Sequence, residues 1–163
     1  MGVDPGNALC GYGVIITEGT RLRALAYGAI ATSAAANAGS RLKVVFEGIE
    51  DIIRQYRPAI VGVEQLFFNK NIRTAMSVSQ ARGVVLLAAA RNGIPVVEFS
   101  PLQVKQSVVG YGRATKDQVV FMTQKLLGLT ERPHPDDAAD ALAVAICAAH
   151  RGETISRQGD CPS

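Results

Sequence analysis

Ala59-Ile60-Val61-Gly62-Val63 is an unbroken apolar run that ends on a carboxylate, Glu64. A strand with one wet face alternates apolar and polar side chains, whereas a strand apolar at every position is covered on both faces. Pro58, just upstream, stops a helical pattern carried by Leu42, Val45, Phe46, Ile49, Ile52 and Ile53. The run therefore predicts a central strand between helices, and with it an α/β layered domain. Val3-Asp4 reads as a second short strand, one that is either unusually short or begins upstream of Met1. Gly11 to Thr17 and Arg21 to Thr32 read as a hairpin across Glu18-Gly19-Thr20, and Pro95 to Phe99 as the fifth strand. Helices are expected from about Ser40 to Tyr56, Ile72 to Arg91, Pro101 to Val109, and after a Thr115 cap to Leu127. Asp136 is read as the cap of a last helix reaching about His150. The expectation is one α/β domain over residues 1–152 with a mixed five-stranded sheet flanked by helices on both faces, followed by a flexible tail over 153–163.

A chain of 163 residues is one domain's worth and long enough to bury about 70 % of its unfolded surface. Nearly half of it is apolar and 19% charged, which excludes a disordered chain. The net charge of +3 is modest, but its distribution is informative. Lys70, Arg73, Arg82, Arg91, Lys105, Arg113, Lys116 and Lys125 lie between two acidic regions and are opposed mainly by Glu98 and Asp117. Dispersed positive charge around an acidic centre suits a polyanionic substrate. Cys10, Cys147 and Cys161 have no metal-ligand spacing and follow no signal peptide, as expected of a cytoplasmic protein. The apolar run Gly83 to Ala90 is far too short to cross a bilayer.

Asp4 and Glu64 both end apolar strands, and Asp137 and Asp140, three apart, share one face at the start of an Ala/Leu/Val-rich helix. Carboxylates at the edge of a core repel one another unless something positive joins them. Without a His or Cys cluster, that something is expected to be a hard divalent cation, Mg²⁺ with Mn²⁺ as a substitute. A pair of such ions about 4 Å apart suits phosphodiester hydrolysis. Each acid also has a simpler reading: a turn former beside Pro5-Gly6, an edge residue before Gln65, or acids favoured by the helix dipole. Lys105 and Lys116 are candidates for neutralising phosphate, the latter after a flexible Gly110-Tyr111-Gly112-Arg113 link. Phe67, three residues after Glu64, is a candidate wedge for an unpaired base. Lys70, Arg73 and Arg113 are candidate phosphate contacts. Four clustered acids also imply that Asp140→Asn stabilises the metal-free protein by relieving repulsion.

The motifs Val3-Asp4-Pro5-Gly6 with Gly11-Tyr12-Gly13-Val14, Val63-Glu64-Gln65-Leu66-Phe67 and Ser79-Gln80-Ala81-Arg82-Gly83 follow one another in order. Gln103-Val104-Lys105 through Gly110 and Asp137-Ala138-Ala139-Asp140-Ala141-Leu142 complete the series. Together they resemble the RuvC family of Holliday junction resolvases over nearly the whole chain. The resemblance implies a ribonuclease-H-like fold and an acidic quartet at Asp4, Glu64, Asp137 and Asp140, with a basic pair at Lys105 and Lys116. It also implies two Mg²⁺ ions per site and a homodimer that makes paired symmetric nicks in four-way junction DNA, leaving 5′-phosphate and 3′-hydroxyl. A branch-migration complex of the recombination machinery is the implied partner. Departures from the pattern are Phe68-Asn69 after the loop aromatic and the extra Asp136.

The alternatives are a nuclease of the same fold acting on RNA–DNA hybrids or other branched DNA, and a junction-binding protein that does not cut. Asp-x-Gly beside a Gly-rich hairpin also occurs in actin-like kinases, but those need two lobes around the nucleotide, for which this chain is too short.

Overall fold

The computed structural model describes the backbone of residues 1–65 and 72–159 and the side chains of 1–65 and 75–152. The chain order is β1 (Gly2–Asp4), β2 (Leu9–Glu18), β3 (Arg21–Ala31), α1 (Ala38–Tyr56), β4 (Val61–Glu64), α2 (Ile72–Arg91), β5 (Val96–Phe99), α3 (Pro101–Val109), α4 (Lys116–Leu126) and α5 (Asp136–Gly159). The strands form one mixed sheet in the order β3-β2-β1-β4-β5. β1, β2 and β3 pair antiparallel in sequence, while β4 runs parallel to both β1 and β5. The expected five-stranded mixed sheet with helices on both faces is therefore present.

Strand parity sorts side chains between two cores. Val3, Val61 and Val63 point to one face, where they pack with Val45 and Ile49 of α1 and Val85, Ala88 and Ala89 of α2. Glu50 of α1 is buried on that side, and Arg54 (2.8 Å) and Arg91 (3.4 Å) neutralise it. The opposite face belongs to α3, α4 and α5, with Phe99, Val104, Leu142, Val144 and Ile146 at its centre. Because side chains alternate along a strand, Gly2 and Asp4 turn to this second face, as do Gly62 and Glu64. A side chain at Gly2 would overlap the backbone of Ala141 and Ala145, and one at Gly11 would overlap the Asp137 carbonyl. The sheet thus presents a bare floor here. An alanine-rich α5, buried from Ala138 to Ala148 apart from Asp140, lies directly on it.

Local signals set most boundaries. Ser100 and Thr115 head capping boxes with Gln103 and Gln118, and Arg57, at φ 44, ends α1 in the left-handed region. Three expectations are corrected. α1 begins at Ala38, because Asn37 supplies the cap by accepting from the Ser40 amide at 2.9 Å. Asp136 is the first residue of α5 and not its cap, since the Pro135 carbonyl accepts from the Ala138 amide at 3.0 Å. α5 continues to Gly159 instead of ending near His150. Among the described residues, no helix is long and apolar enough to cross a membrane.

Candidate active site at the carboxyl ends of β1 and β4

Val3 and Val63 are register partners in the parallel β1–β4 pair, so the next residues, Asp4 and Glu64, emerge side by side at the same sheet edge and on the same face. The carboxyl end of parallel strands is where side chains from distant segments of an α/β sheet converge. The glycine floor brings the start of α5 to this point, because Asp4 pairs with Gly11 and Gly11 lies against Asp137. One turn along α5 comes Asp140. The four predicted acids are therefore brought to the same edge of the sheet, close enough for Glu64, Asp137 and Asp140 to act on Asp4.

Their electrostatics record the meeting. Burial raises the Asp4 carboxyl to about 8, with Glu64, Asp140 and Asp137 adding to the rise and Lys116 opposing it. Glu64 is raised by burial and by Asp140, against a hydrogen bond with Asp4 and the charge of Lys116. Burial also raises Asp140, and here too a hydrogen bond to Lys116 pulls back. Lys116 is the first residue of α4, and its Nζ lies 3.1 Å from Asp140 and 3.3 Å from Asp136. Burial lowers the Lys116 pKa, but its two carboxylate partners outweigh that and leave it raised. A cation at a helix N-terminus opposes the helix dipole. These two partners offset that misfit.

The residues suit a divalent cation in donor chemistry and in charge. Every ligand on offer is a carboxylate, and burial together with the charges of Glu64, Asp140 and Asp137 holds the Asp4 carboxyl well above the usual carboxylate range. As placed, no three His, Cys, Asp or Glu side chains among the described residues close on one point as a metal cage. Lys116 is the cation that faces them.

Among the described residues, Lys105 and Arg113 make no ion pair with these acids. Lys105 is half-buried on α3 and Arg113 is exposed in the α3–α4 link. Arg73 falls in the first turn of α2, and its side chain, like Phe67 and Lys70 altogether, lies outside the described residues. The sequence reading missed the role of Asp136, which bridges Lys116 and Arg132 (3.9 Å) while Arg132 also holds Asp117 at 3.1 Å.

A mixed sheet of this order with carboxylates gathered at the ends of β1 and β4 places the chain in the ribonuclease-H-like class of nuclease folds. The family model for crossover junction endodeoxyribonuclease RuvC matches residues 1–148. A crossover junction endodeoxyribonuclease RuvC from Heliobacterium modesticaldum is 61% identical over 150 residues, which cover 92% of this chain and 93% of that one. Solved structures of relatives are similar as well. Thermus thermophilus RuvC superposes with a TM-score of 0.88 at 36% identity, covering 94% of each chain. T. thermophilus RuvC in complex with Holliday junction substrate gives 0.90 at 36% identity, covering 95% of this chain and 94% of that one. The chain belongs to the crossover junction endodeoxyribonuclease RuvC family, and membership implies a nuclease that depends on a divalent metal.

Proposed function

We propose that this protein resolves four-way DNA junctions by metal-dependent phosphodiester hydrolysis, with Asp4, Glu64, Asp137 and Asp140 as metal ligands. The convergence of these four carboxylates at one sheet edge carries the reading. Two Mg²⁺ ions per site are proposed, with Mn²⁺ able to replace them. When bound, they would activate the attacking water and stabilise the leaving 3′-oxygen. The protein's own part is to hold the carboxylates on a rigid frame. Asp4 and Glu64 are fixed by the β1–β4 ladder, and Asp137 and Asp140 by the helix seated on the glycine floor. Lys116, paired with Asp140 in the metal-free protein, would be free to meet the negative charge that grows on the phosphoryl oxygens once a cation neutralised that carboxylate. The product ends are a 5′-phosphate and a 3′-hydroxyl.

Lys105, Arg113, Lys70 and Arg73 are proposed as phosphate contacts and Phe67 as the wedge at the crossover. Junction specificity is supported by the T. thermophilus relative, which was solved with a Holliday junction substrate. A four-way junction has two equivalent strands to cut, which a twofold dimer would address symmetrically. Met76 and Leu87 of α2, 62% and 54% exposed, fall with Gln80 and Gly83 on one helical stripe that suits such an interface. A branch-migration complex remains the proposed partner. The deciding experiment compares cleavage of a four-way junction, linear duplex and RNA–DNA hybrid in Mg²⁺ and then in EDTA. Paired nicks confined to the junction and abolished by EDTA are expected. Faster cutting of the hybrid, or junction binding without cutting in any divalent metal, would overturn the reading.

A further inference from the structure

The link between α3 and α4 presents an aromatic ring that the proposed reaction leaves unused. Among the described residues most aromatic side chains are taken up by the core: Phe99 is buried, and Tyr12, Phe46 and Tyr56 pack against the first cluster. Tyr27, Tyr111 and Phe121 stay exposed. Tyr27 lies on the edge strand β3, and Phe121 carries the Lys125 ammonium 5.4 Å over its ring. Tyr111, 47% exposed, has neither a hydrogen bond nor a ring contact among the described residues.

The position of that ring follows from how the link is tethered. β5 ends beside Glu64, with the Gln65 amide donating to the Phe99 carbonyl at 2.8 Å, so the first turn of α3 begins at the acidic edge of the sheet. Gly110, at φ 90, ends α3 and turns the chain back. Gly112 then rests on Leu102 of that first turn, where a side chain would overlap Leu102 Cδ1. Leu102 is itself 54% exposed. On the other side, buried Ala114 and the Thr115 capping box fix the start of α4 and so Lys116, the residue bonded to Asp140. Tyr111 is therefore held on a short span anchored at both ends, between the first turn of α3 and the lysine of the acidic pocket.

We infer that Tyr111 is a positioning residue that stacks on a base of the strand being cut, an inference that rests on the endonuclease reading above. Arg113 and Lys116 follow it along the same span, so the ring stands next to two positive charges, the combination by which proteins hold a nucleic-acid strand through a stacked base and paired phosphates. An unpaired base next to a crossover has a free apolar face, which a stacked duplex base lacks. Seating that base fixes the nucleotide whose phosphate must reach the acids.

The test uses the full chain, its Tyr111→Phe and Tyr111→Ala variants, and four-way junctions carrying 2-aminopurine at one crossover nucleotide at a time. The probe brightens when it leaves the DNA stack and is quenched again on an aromatic ring. In EDTA, at least one probe position should be brighter on Tyr111→Ala than on the parent, with Tyr111→Phe matching the parent. In Mg²⁺, single-turnover cleavage by Tyr111→Ala should fall about tenfold or more, the scale of a lost base stack, while Tyr111→Phe stays within about twofold. Identical probe signals for Tyr111→Ala and the parent at every position, or an unchanged cleavage rate, would overturn the inference. A parent that binds junctions without cutting sinks the endonuclease reading alone, because the EDTA arm reads the ring without the reaction.

Discussion

Asp4 keeps its proton to about pH 8 because burial and three neighbouring carboxylates disfavour its charge. An acid whose folded pKa lies above its unfolded value, here 3.8, binds more protons when folded. Stability of the metal-free protein therefore falls as pH rises through that window. The melting temperature in EDTA should drop from about pH 4 to about pH 8, and more shallowly in Asp4→Asn. A melting temperature independent of pH would contradict the buried cluster. Lys116 already neutralises Asp140 at 3.1 Å, so Asp4→Asn should give a larger gain in EDTA than Asp140→Asn. The same Asp4→Asn should lose cleavage while keeping junction affinity, which comes mainly from Lys and Arg contacts to phosphates. Nicking within about tenfold of the parent, a difference of only about 1.4 kcal/mol, would remove Asp4 from the ligand set. Lys116→Ala should slow the single-turnover rate far more than it weakens binding, because its contact with substrate grows with transition-state charge. Equal rates for variant and parent would return Lys116 to the surface.

At the scale of elements, the glycine floor under α5 is what makes the site. Gly2, Gly11 and Gly13 leave room for the backbone of Ala141, Asp137 and Leu142 respectively, and any Cβ there pushes the helix outward. Gly11→Ala should cost about 1–3 kcal/mol as overpacking and also move Asp137 away from Asp4. The expected result is a lower melting temperature together with a loss of cleavage out of proportion to the unfolded fraction. Gly19, in the hairpin turn, has open space around it but a φ of 63, so Gly19→Ala should cost stability through backbone strain and leave cleavage per folded molecule unchanged. If both variants lose cleavage only in step with unfolding, α5 does not set the geometry of the acids.

At the scale of the whole molecule, the described residues of one chain gather one acidic cluster, and a junction needs two opposed cuts. The α2 stripe is the proposed meeting surface, so the parent should sediment as a dimer at tens of micromolar. Met76→Asp with Leu87→Asp should give a folded monomer that binds junctions more weakly and makes unpaired nicks, since both side chains are already solvent-exposed within one chain. A parent that sediments as a 17.2 kDa monomer with and without junction DNA would rule out the symmetric arrangement.

The sequence by itself determined the elements and the chemical character of the site. The apolar run before Glu64, the capping residues Ser100 and Thr115, and the two acids at the head of an alanine-rich helix are local signals, each governed by a few neighbouring residues. Family motifs extended this to the fold and the acidic quartet. What only the tertiary structure decided depends on contacts between distant segments. Strand parity turned Asp4 and Glu64 to the α5 face, and the bare surface at Gly2 and Gly11 brought Asp137 within reach of them. The pairing of Lys116 with Asp136 and Asp140 joined the starts of two helices about twenty residues apart. Even the boundary of α5 was misjudged from composition, because Asp136 resembles a cap while the Pro135 carbonyl accepts the first helical hydrogen bond. Periodicity and capping act over a few residues, whereas the energy of a buried carboxylate depends on every charge the fold brings near it.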